Sequence, residues 1–256
     1  LLNEHVFAVA PEEAQKIVIP DERGWVDLFK DLEVPRYRVT GRWKKSDTAL
    51  TVDASSDAAR LMLPAAATDA YELSLRFTRT RGDGAICVIL PLGQQQCRLV
   101  LSGWHGKASG LYSIEGDETT DLTTGLRRNS TTTSPAPLSN DAEHKLTIRV
   151  INQGDDVSIT AQLDDTDWLT WKGARSRLSL EKEWALRDDH AIGLGADSGT
   201  VTFAAMQLRS LRGDARLIDK PQTLLERGVA TPADGFIDLL ELWKPSSDVV
   251  TGNWVR

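Results

Sequence analysis

The sequence predicts an all-β domain built as an antiparallel β-sandwich, and three observations carry that expectation. The middle of the chain alternates apolar and polar residues with period two. Short strand candidates follow one another between clusters of Gly, Asp, Asn, Ser and Pro, the signature of a sandwich or barrel rather than of βαβ units. No segment sustains the 3.6-residue period of an amphipathic helix.

The clearest alternation sets Tyr71, Leu73, Leu75 and Phe77 against Glu72, Ser74, Arg76 and Thr78, one face for a core and one for water. Leu146, Ile148 and Val150 alternate with Lys145, Thr147 and Arg149, and Val157, Ile159, Ala161 and Leu163 with Ser158, Thr160 and Gln162. Between these two runs Gln153-Gly154-Asp155-Asp156 is a turn by composition, so the pair predicts a β-hairpin. Further strands are expected at 38–44, 50–53, 60–63, 85–90, 97–101, 111–115, 168–171, 191–194 and 201–211. Short helical turns are expected at 12–17, 180–184 and 224–228, and the Ser/Thr/Pro-rich segment 119–138 reads as a long loop. Cys87 and Cys97 flank the turn-like Pro91-Leu92-Gly93-Gln94. A turn centred near Leu92 sets them opposite one another, where a disulfide is geometrically feasible; a turn on Gly93 and Gln94 moves the partner of Cys87 toward Val100. Two reduced, half-buried thiols are the simpler expectation.

At 256 residues, 41% hydrophobic and 26% charged, the chain has ordinary globular composition. No apolar run approaches the roughly 18 to 20 residues of a membrane span. A net charge of −7 with dispersed basic residues disfavours nucleic acid as a partner. The opening Leu1-Leu2-Asn3, without initiator Met or signal-peptide features, reads as a fragment of a larger protein.

Gly24-Trp25-Val26-Asp27-Leu28-Phe29 matches Gly235-Phe236-Ile237-Asp238-Leu239-Leu240, and in the same ungapped register Val39-Thr40-Gly41-Arg42-Trp43 matches Val250-Thr251-Gly252-Asn253-Trp254. The expected organisation is a leader at 1–23, a sandwich at 24–213, a linker at 214–234, and at 235–256 either the start of a second repeat or an extra strand docked on the first domain.

Gly24-Trp25-Val26-Asp27-Leu28-Phe29, followed by Trp43, by Tyr71-Glu72-Leu73-Ser74-Leu75-Arg76-Phe77 and by a closing Val201-Thr202-Phe203, resembles the bacterial domains known as 3-keto-disaccharide hydrolases. These are concanavalin A-like jelly rolls, relatives of laminin G-like and family 16 glycoside hydrolase folds. Val88-Ile89-Leu90-Pro91 with Leu99-Val100-Leu101-Ser102-Gly103-Trp104 is similar to a divergent branch of them frequent in large planctomycete proteins. The resemblance covers nearly all of 24–213 and implies a concanavalin A-like jelly roll. Laminarinase-type family 16 enzymes carry Glu-x-Asp-x-x-Glu on one strand. Here Glu115-Gly116-Asp117-Glu118-Thr119-Thr120 lacks the second glutamate at the required position, and Glu118 has the opposite strand parity to Glu115.

Eight Trp against five Phe and three Tyr favour a sugar site, since a flat indole stacks on the apolar face of a pyranose. Ser102-Gly103-Trp104-His105-Gly106-Lys107 gathers an indole, an imidazole and an ammonium in a glycine-flanked turn and is the best ligand-site candidate. Against it stands the reading that Trp104 caps the core and His105 is merely solvated. Arg76, Lys107 and Glu115 are the expected polar contacts; for an enzyme, the available catalytic grouping is Glu115, Asp117 and His105. Asp164, Asp165 and Asp167 are candidate calcium ligands by analogy with related jelly rolls, or a solvated hairpin turn. His190 beside Asp188 and Asp189 is a base-and-orienter pair or a polar turn. Trp25 and Trp43, echoed by Phe236 and Trp254, read as packing residues, and Trp168 and Trp171 should face opposite sides of a strand. Gly193-Leu194-Gly195 lacks the third glycine of a dinucleotide fingerprint and reads as a close strand approach.

The leading expectation is a noncatalytic carbohydrate-binding or interaction module of a larger extracytoplasmic bacterial protein, in the periplasm or at the cell surface. Its partner would be carbohydrate or another protein domain, and repetition would multiply weak binding through avidity. The alternatives are a glycoside-cleaving enzyme, hydrolase or lyase, of the keto-disaccharide type, and a structural module self-associating through 235–256 by β-augmentation or swapping.

Overall fold

The structure, a computed structural model, describes residues 24–30, 32–54, 58–120, 127–133, 138–212 and 215–217. Its strands are β1 (Trp25–Asp27), β2 (Arg38–Thr40), β3 (Arg42–Lys45), β4 (Leu50–Ala54), β5 (Ala59–Ala67), β6 (Ala70–Gly82), β7 (Ile86–Pro91), β8 (Gln96–Ser102) and β9 (Ala108–Leu111). They continue with β10 (Thr119–Thr120), β11 (Arg127–Arg128), β12 (Glu143–Gln153), β13 (Asp156–Leu163), β14 (Thr166–Ala174), β15 (Ala191–Ala196), β16 (Gly199–Arg212) and β17 (Ala215–Leu217). Helical turns among the described residues are α1 (Val34–Tyr37), a turn at Gly103–Gly106, and 3₁₀ turns at Arg175–Arg177 and Lys182–Trp184.

One sheet, A, runs β14-β13-β12-β6-β16-β4-β3 with β1 also on β16; the other, B, runs β17-β5-β15-β7-β8-β9 with β2 on β5. The pairings are antiparallel, and strands distant in sequence lie side by side: β6 between β12 and β16, β15 between β5 and β7. That order is the crossover pattern of a jelly roll. The domain is therefore an all-β antiparallel sandwich with jelly-roll connectivity.

Alternation builds the core. In sheet A, Leu163, Leu146, Leu75 and Met206 form one inward row, and Ala161, Ile148, Leu73 and Leu208 the next. In sheet B the inward set is Leu61, Leu194, Val88 and Leu99. Tyr71 spans the layers, its buried hydroxyl donating to the Pro91 carbonyl at 2.9 Å. Trp43 is buried against Phe203, ring centroids 6.1 Å apart, and Trp25 lies under the Arg209 guanidinium at 4.6 Å. Trp171 faces the core, while Trp168 is half-buried and donates to Thr133 Oγ1 at 2.8 Å.

The β12–β13 hairpin forms with Gln153 opposite Asp156 and Gly154 supplying the positive φ of its two-residue loop. The β7–β8 register pairs Cys87 with Val100 and Cys97 with Leu90, so the turn centres on Gly93 and Gln94. The cysteines consequently point to opposite faces of sheet B and both are free, buried thiols.

Three local expectations need correcting. The strand expected at 38–44 is broken at Gly41, where φ is +84° and a Cβ would stand 2.3 Å from that of Ala59; here the chain passes from sheet B to sheet A. The strand expected at 111–115 ends at Leu111, because Asn129 Nδ2 takes the Leu111 carbonyl and the Glu118 carboxylate takes the Ile114 amide, turning the backbone aside. The loop expected at 119–138 contains the β10–β11 ladder and a bridge from Thr133 to Ser109. β17 adds to β5 beyond residue 213. The expected leader 1–23, the turns at 12–17 and 224–228, and the segment 235–256 lie outside the described residues.

Candidate functional site

Antiparallel partners share a face, so the register of sheet B sets Arg60, Gly195, Cys87, Val100 and Gly110 in one outward row and Met62, Gly193, Ile89 and Arg98 in the next. The segment between β14 and β15 folds over these rows. A Cβ on Gly195 would stand 2.4 Å from Trp184, and one on Gly193 2.9 Å from Leu186. The glycine pair makes room for covering side chains, not for the closer strand approach expected from the sequence.

Arg98 occupies the floor. Its guanidinium is 6% exposed and centred 4.0 Å from both the Tyr112 and the Trp184 rings, while Nη2 donates to Glu181 Oε1 at 2.5 Å. Tyr112 is placed by its own amide, which donates to the Arg98 carbonyl at 2.9 Å just beyond β9. Trp104 lies parallel to Tyr112, with centroids 5.6 Å apart and an interplanar angle of 1°. Beneath this stack the Cys87 thiol is pushed up to about 11 by burial, which outweighs the nearby Arg98 charge. It is a packing residue and not a nucleophile.

The turn carrying Trp104 is unusual in its backbone. Ser102, Trp104 and His105 take φ values of 57°, 50° and 58°, a left-handed region that costs L-residues roughly 1–2 kcal/mol each. Arg79 holds the turn in place. This arginine is 3% exposed; Nη1 donates to Ser102 Oγ at 2.9 Å and to the Gly84 carbonyl at 3.1 Å, Nε to Asn140 Oδ1 at 2.8 Å, and Nη2 to the Leu138 carbonyl. Strain maintained by a surrounding network is characteristic of ligand sites. At the rim His105 Nδ1 lies 3.0 Å from Asp83 Oδ1, and this hydrogen bond holds the Asp83 carboxyl below the usual carboxylate range.

The resulting cleft encloses about 500 Å³ and is lined by Arg98, Trp104, His105, Lys107, Tyr112, Trp184 and Asp197, with Ala58, Ala85, Val100 and Gly103 as its small apolar walls. Lys107 and Asp197 have no ion-pair partner among the described residues. The arrangement offers flat aromatic surface together with fixed donors and acceptors, the equipment for holding a polyhydroxylated ligand.

Of the residues nominated from sequence, Trp104, His105 and Lys107 meet in this cleft. Arg76 lies on the outer face of sheet A, 2.8 Å from Glu143. Glu115 follows β9 in a turn where its amide donates to the Arg177 carbonyl and its own carbonyl accepts from Arg177 Nε. Hydrogen bonds from Ser130 hold the Asp117 carboxyl below its usual range, the wrong direction for a general acid. Neither Glu115 nor Asp117 joins His105 in the lining of the cleft. Asp188 Oδ1 accepts the His190 amide at 2.8 Å, so this carboxylate closes a turn.

The three aspartates considered for calcium do not fit it. Asp164 accepts from His144 Nδ1 and from the Lys145 amide, Asp165 from Lys145 Nζ, and Asp167 from Gln162 Nε2. Asp164 and Asp165 form the two-residue β13–β14 loop with φ of 52° and 60°, as a type I′ turn requires. Among the described residues no group of three or more His, Cys, Asp or Glu is placed to hold a metal ion.

Sequence reasoning does not nominate Arg98, Tyr112, Trp184 or Asp197. A signal for Arg98 exists, a single cation inside the apolar run Cys97-Arg98-Leu99-Val100-Leu101, and the alternate glycines Gly193 and Gly195 signal a bulky neighbour. Nothing local signals Tyr112 or Asp197.

No protein-family model and no curated protein sequence matches the chain. Among solved structures it is similar to the carbohydrate binding module CBM66 from Bacillus subtilis, with 14% identity over 76% of this chain and 100% of that one and a TM-score of 0.45. It is also similar to a legume lectin-like domain from Entamoeba histolytica, with 9% identity over 70% and 92% of the two chains and a TM-score of 0.47. A third likeness is to the VIP36 exoplasmic/lumenal domain in a Ca2+/Man3GlcNAc-bound form, with 10% identity over 81% and 94% and a TM-score of 0.45.

Proposed function

We propose that the domain is a noncatalytic carbohydrate-binding module whose ligand lies in the cleft on sheet B. The observation that carries this reading is Trp104, laid flat on Tyr112 by a strained, networked turn at a cleft whose lining includes Arg98, itself paired with Glu181. The half-buried Trp104 ring that lines the cleft supplies stacking to the apolar side of a sugar ring, and Lys107, His105 and Asp197 supply hydrogen bonds to hydroxyls. The reading carries with it an extracytoplasmic location, where polysaccharides are met. A glycoside-cleaving role has less support, because Glu115 and Asp117 stand apart from the cleft and Asp117 is held ionised.

The test is a titration of the protein with a panel of di- and polysaccharides, followed by tryptophan fluorescence, with the same samples assayed for released sugar. Saturable binding without product, weakened about tenfold or more by Trp104→Ala (~1.4 kcal/mol), is the expected result. Product formation would reassign the domain to catalysis. Silence across a broad panel would remove the sugar site.

A further inference from the structure

We infer that Glu181 makes this cleft selective for uncharged sugars by occupying the Arg98 guanidinium; the inference rests on the carbohydrate reading above. An arginine held between two aromatic rings is, by itself, a receptor for carboxylate or sulfate, since its planar fork matches those groups and its desolvated position strengthens the contact. Here the position is already taken. Arg98 Nη2 is bound to Glu181 Oε1 at 2.5 Å, with side chains 6% and 23% exposed.

Glu181 Oε2 and Arg98 Nε are each buried without a hydrogen-bond partner, so the pair is joined through Nη2 and Oε1 and the second carboxylate oxygen keeps its negative charge beside the guanidinium. An incoming anion must either expel Glu181 and leave a buried charge unpaired, or sit against it. Both are costly in a poorly solvated site. The same balance repeats around the cleft. His105 faces Asp83 at 3.0 Å, and Lys107 and Asp197 contribute one charge of each sign to the lining. Hydroxyl groups, which donate and accept, are compatible with such a surface; a uronate or sulfated sugar is not.

The experiment compares a neutral glucan with its C6-oxidised polyuronate on the wild-type protein and on Glu181→Gln, by tryptophan fluorescence at low and high salt, with far-UV circular dichroism to establish folding. The wild type should bind the glucan about tenfold or more tightly than the polyuronate, the scale set by one disrupted buried ion pair. Glu181→Gln should raise polyuronate affinity about tenfold, and salt should weaken that gain. Equal or tighter binding of the polyuronate by the wild type overturns the inference and leaves the carbohydrate reading standing. Binding of neither polymer, nor of any sugar in the panel, removes both. A folded Glu181→Gln with an unchanged ratio overturns the role of Glu181.

Should Glu181→Gln fail to fold, the double variant Arg98→Met/Glu181→Met replaces the pair by apolar groups, an exchange that buried ion pairs often tolerate. Its residual polyuronate binding should match the wild type. A clear loss would show that Arg98 receives the anion and would overturn the inference.

Discussion

Replacing Gly195 by alanine adds one methyl group at the point where the covering segment meets sheet B. The new Cβ would stand 2.4 Å from Trp184 Cζ3, whereas carbon atoms in contact sit about 3.5–4.0 Å apart, so the indole must retreat by about 1 Å or more. That ring also lies 4.0 Å from the Arg98 guanidinium, and the retreat opens the stack. Gly195 is not among the positive-φ glycines, so alanine brings no backbone strain and the whole effect falls on packing. Overpacking of this kind costs about 1–3 kcal/mol. Each kcal/mol lowers Tm by about 2–4 °C in a domain of this size. The assay is urea and thermal unfolding of Gly195→Ala, Trp184→Ala and the double variant. With the indole gone the methyl keeps one tight contact, the Ala59 carbonyl oxygen at 3.1 Å, and loses the severe one, so the double-mutant cycle should return a coupling of about 1 kcal/mol or more. A Gly195→Ala protein as stable as the wild type, or an equal cost in both backgrounds, would refute the reasoning.

Other outcomes follow from the same structure. Arg79→Met leaves Ser102, Asn140 and two loop carbonyls without their donor and should lower stability by about 3 kcal/mol or more, measured by urea unfolding. The thiols of Cys87 and Cys97, pushed by burial up to about 11 and about 12, should resist a thiol reagent at pH 8 in the native protein and react on unfolding. Burial raises the Asp164 carboxyl, yet the hydrogen bonds from His144 and Lys145 prevail and hold it below its usual value. Its contribution to stability is therefore present above the unfolded value near 3.9 and is lost as the pH falls through the lower folded value. Asp164→Asn should flatten that acid limb in urea midpoints measured against pH.

Much of the fold was legible in local pattern, and the reasons are particular. Tyr71 to Phe77 and Leu146 to Val150 alternate because each strand has one dry and one wet face in sheet A, and those are the rows that pair in the structure. Sheet B was harder to read, since Ile86 to Pro91 and Gln96 to Ser102 are buried on both faces and alternation vanishes when a second layer covers the outer side. The site divides the same way. Trp104, His105 and Lys107 are neighbours in sequence, and a glycine-flanked turn is enough to gather them. Arg98, Tyr112, Trp184 and Asp197 come from β8, the turn after β9, the covering segment and the end of β15, so no window of sequence contains them. Arg76 and Glu115 failed to join them for the complementary reason, one pointing out of sheet A and the other held in a turn by Arg177.

By itself the sequence determined the class of fold, most of the strands and the turn that carries the indole, because these depend on period, turn chemistry and composition over a few residues. The tertiary structure decided which face of sheet B is covered, that Cys87 and Cys97 lie on opposite sides of it, and that a buried arginine meets Glu181 between two rings. Those outcomes depend on cross-strand register and on side chains brought together over long separations, where a shift of one residue reverses every face and local pattern carries no record of the choice.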